Sequence, residues 1–409
     1  MRIANLPFVA VNVGSLLRNR LAKLYRHYAG RTRRAAKLSA EHAKNARSGL
    51  RQAADRRRDD LEHARAAAVH SARYWQRVRE QLIEPLRQDT SIRRELRRVA
   101  AGEGPILVGP WLSEVGYEVL YWVPFVRWFV HQYRVDPRRL VAVSRGGAGA
   151  WYADVAGRSI ELLDLFAPDE FARRNADRQA SGDQKQLAAV DFDAEIVRRI
   201  GARHGIADAT LLHPSLMFRL LRRFWLGTAT LEYALQQLRY APVGPRADVT
   251  LPDLPPQFTA VKFYTGTAIQ DTPEHRRLLR AIVERLADRG PVVTLGAGVQ
   301  LDEHEDFLFG GLPNVRGLGD GVTPQSNLAV QTEVIRRSSL YVGTAGSLAW
   351  LAPMLGVDTV AAYADDRYLG PHLYAARYAY ASIPAGRFMP LDLQAAARFE
   401  RAGVFANVR

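Results

Sequence analysis

Cysteine is absent from the chain, which leaves no disulfide framework and no Cys-based metal site. That absence fits a reducing cytoplasm. Missing too is any apolar run of the roughly 18 residues that a membrane-spanning helix needs. The apolar stretch from Ile3 to Val11 is soon followed by Asn12 and Arg18, with no convincing signal-peptide cleavage site. The third absence is net charge over most of the chain. Of its 57 Lys/Arg and 42 Asp/Glu, residues 1–100 hold 24 and 9, leaving 33 of each in the other 309. The whole excess of +15 therefore precedes a neutral body.

What is present begins with a basic helical arm over residues 1–100. Ala, Arg, Leu, Glu and Gln dominate from residue 15, with Pro85 as the interior proline. Apolar residues recur at helical spacing: Leu16, Leu17, Leu21, Leu24 and Tyr25, then Trp75, Val78, Leu82 and Leu86. Between Lys37 and Arg73 the stripe is mostly alanine and the faces are charged. This composition suits a stalk or oligomerisation arm. It also suits a basic segment lying on an anionic membrane, which gives a cytoplasmic protein peripheral to the inner membrane. Charge alone admits nucleic acid, but no zinc finger, RNP or other nucleic-acid module is present.

After Ala101-Gly102-Glu103-Gly104-Pro105 the pattern becomes alternating α/β. Strands are expected at Ile106–Val108, Leu140–Val143 and Ile160–Leu165, a helix over Tyr117–Tyr133, and helices over most of 168–240. A proline-rich linker runs from Ala241 through Pro256. A second set follows: strand Phe258–Tyr264, helix Glu274–Arg289, strands Pro291–Leu295 and Val315–Leu318, and a helix leading into strand Leu340–Val342. Strands alternating with helices predict parallel sheets with ligands at the carboxyl ends of the strands. The expected fold is α/β, with two Rossmann-like lobes, residues 103–245 and 257–409, facing a cleft behind the basic arm.

The turn Gly343-Thr344-Ala345-Gly346-Ser347 leaves a strand and enters a helix. Small residues let backbone approach a ligand, and a helix start presents free N–H groups, so the turn suits a phosphate. Ser144-Arg145-Gly146-Gly147-Ala148-Gly149 fits no dinucleotide or P-loop fingerprint. Asp191-Phe192-Asp193 resembles a metal-binding Asp-x-Asp, but the helix that follows makes capping the better account. Asp302 to Asp306 reads as a solvated acidic loop rather than a metal site. Trp111, Tyr121, Trp122 and Trp128 read first as core.

AVKFYTG, EHRRLLRAIVERLADRG, VVTLGAG, NVRGLGD and LYVGTAGSLAWLA, taken in order, resemble the C-terminal lobe of GT-B fold glycosyltransferases, particularly the bacterial heptosyltransferase-like group. GPWLSEVGYEVLYWVPFVRW is similar to the opening of glycosyltransferase-like proteins of polysaccharide loci. The resemblance implies a nucleotide-sugar side at 257–409 and an acceptor side at 103–245. It implies a metal-independent transferase with no cofactor beyond its donor, passing a sugar to a bacterial glycan or lipid-linked acceptor. Glu114, in the loop after the first strand, would be the base, or else a helix cap. Lys262 and Arg145 would face the donor diphosphate together with Gly343, Thr344, Gly346 and Ser347; for Lys262 an edge-strand lysine is the alternative. Heptosyltransferases place Asp and His after the final strand, where this chain has Thr344, Ala345 and Trp350. A catalytically inactive scaffold that binds glycan or nucleotide is therefore the second reading.

Overall fold

A computed structural model describes residues 84–401 apart from 181–184, 207, 247, 297–303 and 320–321, together with Arg65. Apart from Arg65, the described residues all belong to one compact unit, Gln81–Arg409. The arm expected over residues 1–100 thus lies almost wholly outside the described residues. Its last part does not. Helix α1, Glu84–Ala101, buries Ile92, Leu96 and Val99 on one face and packs against the helix Ser215–Trp225. That apolar stripe joins the end of the basic segment to the body.

The first lobe is built on strands β1 (Ile106–Val108), β2 (Leu140–Ser144), β3 (Arg158–Glu161) and β4 (Thr210–Leu212). They form one parallel sheet in the order β3-β2-β1-β4. β1 and β2 are buried along their whole length, as expected of strands covered on both faces. Helix α2 (Val115–Tyr117) runs through a π turn, Glu118–Trp122, into α3 (Val123–Tyr133). The helix expected from Tyr117 therefore carries a register slip in its first turns. Helices α4 (Pro168–Ala180), α5 (Asp191–His204), α6 (Ser215–Trp225) and α7 (Leu231–Leu235) complete the lobe.

Two further elements of this lobe depart from the sequence pattern. The third strand is Arg158–Glu161, and Leu162–Asp164 turn into a 3-10 helix because the Glu161 side chain accepts from the Leu163 amide. β4 lies in a stretch expected to be mostly helical. Its three residues pair with β1 just before Pro214 starts the turn into α6.

The second lobe follows a linker that is itself tied down. The Val243 amide donates to Met354 O at 3.0 Å and the Arg246 amide to Glu333 at 3.1 Å. In chain order the elements are β5 (Thr259–Lys262), α8 (Pro273–Ala287), β6 (Val292–Thr294), β7 (Val315–Gly317), α9 (Asn327–Arg337), β8 (Leu340–Thr344), α10 (Ser347–Leu351), β9 (Thr359–Tyr363), α11 (Gly370–Ser382), β10 (Phe388–Asp392) and α12 (Leu393–Arg401). All six strands are parallel, in the order β10-β9-β8-β5-β6-β7. Read from β7, this is the doubly wound order of a Rossmann sheet, with its topological switch between β5 and β8. The first sheet reverses between β1 and β4 by the same logic. The protein is thus an α/β chain with two Rossmann-like lobes.

The lobes are packed together. The Ala329 amide donates to Gly146 O at 2.9 Å and Trp151 Nε1 to Thr332 Oγ1 at 3.2 Å. Gly147, at φ +79°, lies where an added Cβ would come within 2.6 Å of the Ala329 Cβ. Glycine at this turn is needed both for its backbone and for the contact. Among the described residues no helix is long and apolar enough to cross a membrane.

Candidate functional site

In an open parallel sheet the segments leaving the carboxyl ends of two diverging strands form a crevice at the switch point. In the first lobe the loop after β1 occupies that position, and it carries Glu114. In the second lobe the corresponding segments are the end of β5, with Lys262, and the end of β8 with the turn that follows it. Gly343 and Thr344, expected in that turn, are the last residues of the strand because they pair with β5 and β9, and the turn proper is Ala345–Ser347. The two positions meet. A Cβ on Gly116 would lie 2.9 Å from the Ser347 amide nitrogen and 3.3 Å from Trp350 Cδ1.

The loop before Glu114 is held by buried side chains. Arg145, 3% exposed, donates through Nη1 to Trp111 O at 3.1 Å and through Nη2 to Ser113 O at 3.0 Å. Arg178 Nη2 donates to Leu112 O at 2.9 Å. Gln186 reads both edges of the loop. Its Oε1 accepts from the Leu112 amide at 2.9 Å and from Ser113 Oγ at 3.1 Å, and its Nε2 donates to Pro110 O at 2.9 Å. Gln186 is fully buried and sits at φ +41°, a strained position for a side chain of this kind. Asp193 accepts from the Val190 amide at 2.8 Å, so its part of Asp191-Phe192-Asp193 caps α5.

Glu114 itself is exposed and makes no side-chain cap bond to α2. Arg145, expected as a cation of the cleft, directs both of these Nη groups at main-chain carbonyls of the loop. Lys262 Nζ donates to Gln331 Oε1 at 3.0 Å and lies 3.5 Å from Asp306 Oδ2. Lys262 also pairs in register with Gly343 across β5 and β8.

The end of β8 and the turn after it are closely packed. Thr344 is fully buried; its Oγ1 donates to Tyr264 O at 3.1 Å and accepts from the Tyr264 amide at 2.9 Å. Gly346, at φ +135°, would place a Cβ 2.5 Å from Tyr264 Oη. A valine there would therefore disturb the turn itself as well as any ligand. Ser347 adopts φ +40° at the start of α10. The structure thus brings the Glu114 loop, Gly346 and Ser347 together, sets Lys262 beside Gly343, and places Arg145 beneath the loop.

Sequence reasoning missed the carboxylates behind this junction. Glu118, fully buried in the π turn, accepts from Tyr152 Oη at 2.6 Å, while its Oε2 has no hydrogen-bond partner. Burial pushes its carboxyl up to about 7, against the opposing pull of the Tyr152 bond and Arg145. Glu161 accepts from the amides of Gly146 at 2.9 Å and Gly147 at 2.8 Å. Burial also raises Glu161 to about 7 despite those bonds. Of the acidic loop Asp302 to Asp306, residues 302 and 303 lie outside the described residues; Asp306 pairs with Lys262.

No protein-family model matches the chain, and no curated protein matches it. Solved structures do. It aligns with a glycosyl transferase family 9 protein from Veillonella parvula at 12% identity and a TM-score of 0.38, over 74% of this chain and 90% of that one. It aligns with heptosyltransferase WaaC of E. coli, solved with ADP-2-deoxy-2-fluoro heptose, at 15% identity and a TM-score of 0.32, over 73% of this chain and 99% of that one. The iron-containing dodecameric glycosyltransferase TibC of enterotoxigenic E. coli aligns at 14% identity and a TM-score of 0.31, over 63% of this chain and 58% of that one.

Proposed function

We propose that the protein is a metal-independent glycosyltransferase that takes a nucleotide-sugar into the junction between its lobes. The sugar passes to a bacterial glycan or lipid-linked acceptor. The observation that carries this reading is the meeting of two topological switch points, one from each sheet, at Gly116 and Ser347. A ligand spanning them would be held by both lobes. The order of motifs across the second lobe, which resembles the nucleotide-sugar lobe of GT-B enzymes, supplies the substrate class.

In this reading Glu114 removes the proton from the acceptor hydroxyl as the oxygen attacks the anomeric carbon. It is exposed, free of a capping duty, and set on a loop whose main chain is fixed from below. The bond from the sugar to the diphosphate breaks, and its electrons leave with the nucleoside diphosphate. Lys262 and the Gly343–Ser347 turn receive that charge. The close packing of Thr344 and Gly346 on Tyr264, and of Gly116 on Ser347, favours a second reading, an inactive two-lobe scaffold in which the turn is structural.

Calorimetric titration of the full chain with ADP, UDP, GDP and CDP tests the proposal. At least one is expected to bind with a stoichiometry near one. The absence of heat with all four, together with an unchanged melting temperature, would rule out the donor site, because a ligand specific for the folded state must raise that temperature.

A further inference from the structure

We infer that Lys185 is a phosphate-contacting cation of the lobe junction, pre-ordered by Tyr117. The inference rests on the reading of that junction as a nucleotide-sugar site. Lys185 is exposed, yet its Nζ is not left to wander. It donates to Tyr117 Oη at 2.7 Å and lies 4.6 Å from the centroid of the same ring. Tyr117 follows Gly116, the residue that abuts Ser347 of the opposite lobe.

Tyr117 is anchored in turn from the second lobe. His372, on α11, lies 3.3 Å through Nε2 from Tyr117 Oη and 2.7 Å through Nδ1 from Tyr121 Oη. One consistent set of protons satisfies the chain. Lys185 donates to Tyr117, Tyr117 donates to His372 Nε2, and His372 Nδ1–H donates to Tyr121. This set requires a neutral imidazole. Burial, helped by the Lys185 charge, lowers His372 to about 4. The ring centroids of Tyr117 and Trp225 stand 5.4 Å apart, edge to face, which fixes the phenol from a further side. The ammonium thus keeps donors for a ligand while its position is already set, which reduces the entropy lost on binding.

The other two cations expected at the junction are differently employed. Arg145 is buried and bonded to Trp111 O and Ser113 O. Lys262 is shared between Gln331 and Asp306. Lys185 instead combines exposure with an ordered, neutral hydrogen-bonding base. A phosphate oxygen is the chemistry that a strongly hydrated point charge of this kind takes. That phosphate could belong to the diphosphate of the donor or to the phosphate of a lipid-linked acceptor.

The test titrates full-length wild type, Lys185→Ala and Lys185→Arg in two arms. One arm uses ADP, UDP, GDP and CDP; the other uses farnesyl phosphate below its micellar concentration. Lys185→Ala should weaken one arm by about tenfold or more, the scale of one charge-assisted contact, and Lys185→Arg should recover part of it. Loss in the nucleotide arm assigns the donor; loss in the prenyl arm assigns the acceptor. The side chain is exposed, so the melting temperature should hold in both variants. If wild type binds and Lys185→Ala binds equally well in both arms, Lys185 is excluded and the reading of the cleft stands. If wild type binds neither class, both fall together.

Discussion

Glu118→Gln is expected to make the protein more stable than wild type at pH 8, and to flatten the fall in stability between about pH 4.5 and 7. The carboxyl sits at about 7 in the folded chain against 4.5 as its ordinary value. The folded state therefore holds a proton that the unfolded state has released across that window. The contribution of this one group is therefore fully present below 4.5 and is lost as pH rises through 7. At roughly 1.4 kcal/mol per unit, the shift corresponds to a loss on the order of 3 kcal/mol by pH 8. Glutamine keeps an oxygen for the Tyr152 hydroxyl and carries no charge to desolvate. Glu161, also raised to about 7 by burial, contributes a slope of the same sign that the variant retains. Glu161→Gln is a poorer probe, because it replaces one of the oxygens that accept from the Gly146 and Gly147 amides. Denaturant unfolding of both proteins from pH 4 to pH 9 measures the difference. Parallel curves would show that Glu118 does not hold its proton in the folded state.

Glu114→Gln carries the second large effect. Loss of a general base costs typically 10²- to 10⁴-fold, so turnover should fall at least about a hundredfold. Nucleoside diphosphate binding should persist, because the Gln186, Arg145 and Arg178 contacts that shape the loop do not involve the Glu114 side chain. Glu114 makes no side-chain cap bond to α2, so the melting temperature should scarcely move. The assay follows nucleoside diphosphate released from nucleotide-sugars in the presence of bacterial glycan acceptors. Turnover within a few-fold of wild type would leave Glu114 an ordinary surface carboxylate.

The parts of this architecture that the sequence announces are those with a local signature. Ile106–Val108, Leu140–Ser144, Thr259–Lys262 and Leu340–Thr344 are short, apolar and bounded by glycine, proline or polar turns, so their strand character and parallel pairing follow from pattern. β4 has the same role, but its Thr-Leu-Leu stands between a helix and the turn at Pro214 in a stretch that otherwise reads as helical, without the glycine and proline boundaries that mark β1. The π turn at Glu118–Trp122 is invisible because an acid followed by Val-Leu-Tyr-Trp reads as an ordinary first helical turn. Only the tertiary packing shows that Glu118 points at Tyr152.

The candidate site divides in the same way. Glu114, Lys262 and the Gly343–Ser347 turn could be placed at strand ends because strand ends can be read. The destination of Arg145 could not. Its partners are the main-chain carbonyls of Trp111 and Ser113, and a carbonyl has no sequence identity. Gln186 reaches Leu112 across 74 positions of sequence. Lys185 and His372 come from opposite lobes to the same tyrosine. Such convergence is set by how the lobes dock, and no local pattern encodes it.

The proposed function requires a nucleotide between the two switch points. Amide hydrogen exchange of the full chain, with and without a saturating nucleoside diphosphate, reads its position segment by segment. Bound nucleotide should slow exchange in segments 111–118, 262–266 and 343–348 together, since one ligand would bridge the loop after β1, the end of β5 and the turn after β8. Protection confined to other segments, or no change anywhere at saturating nucleotide, would contradict the account.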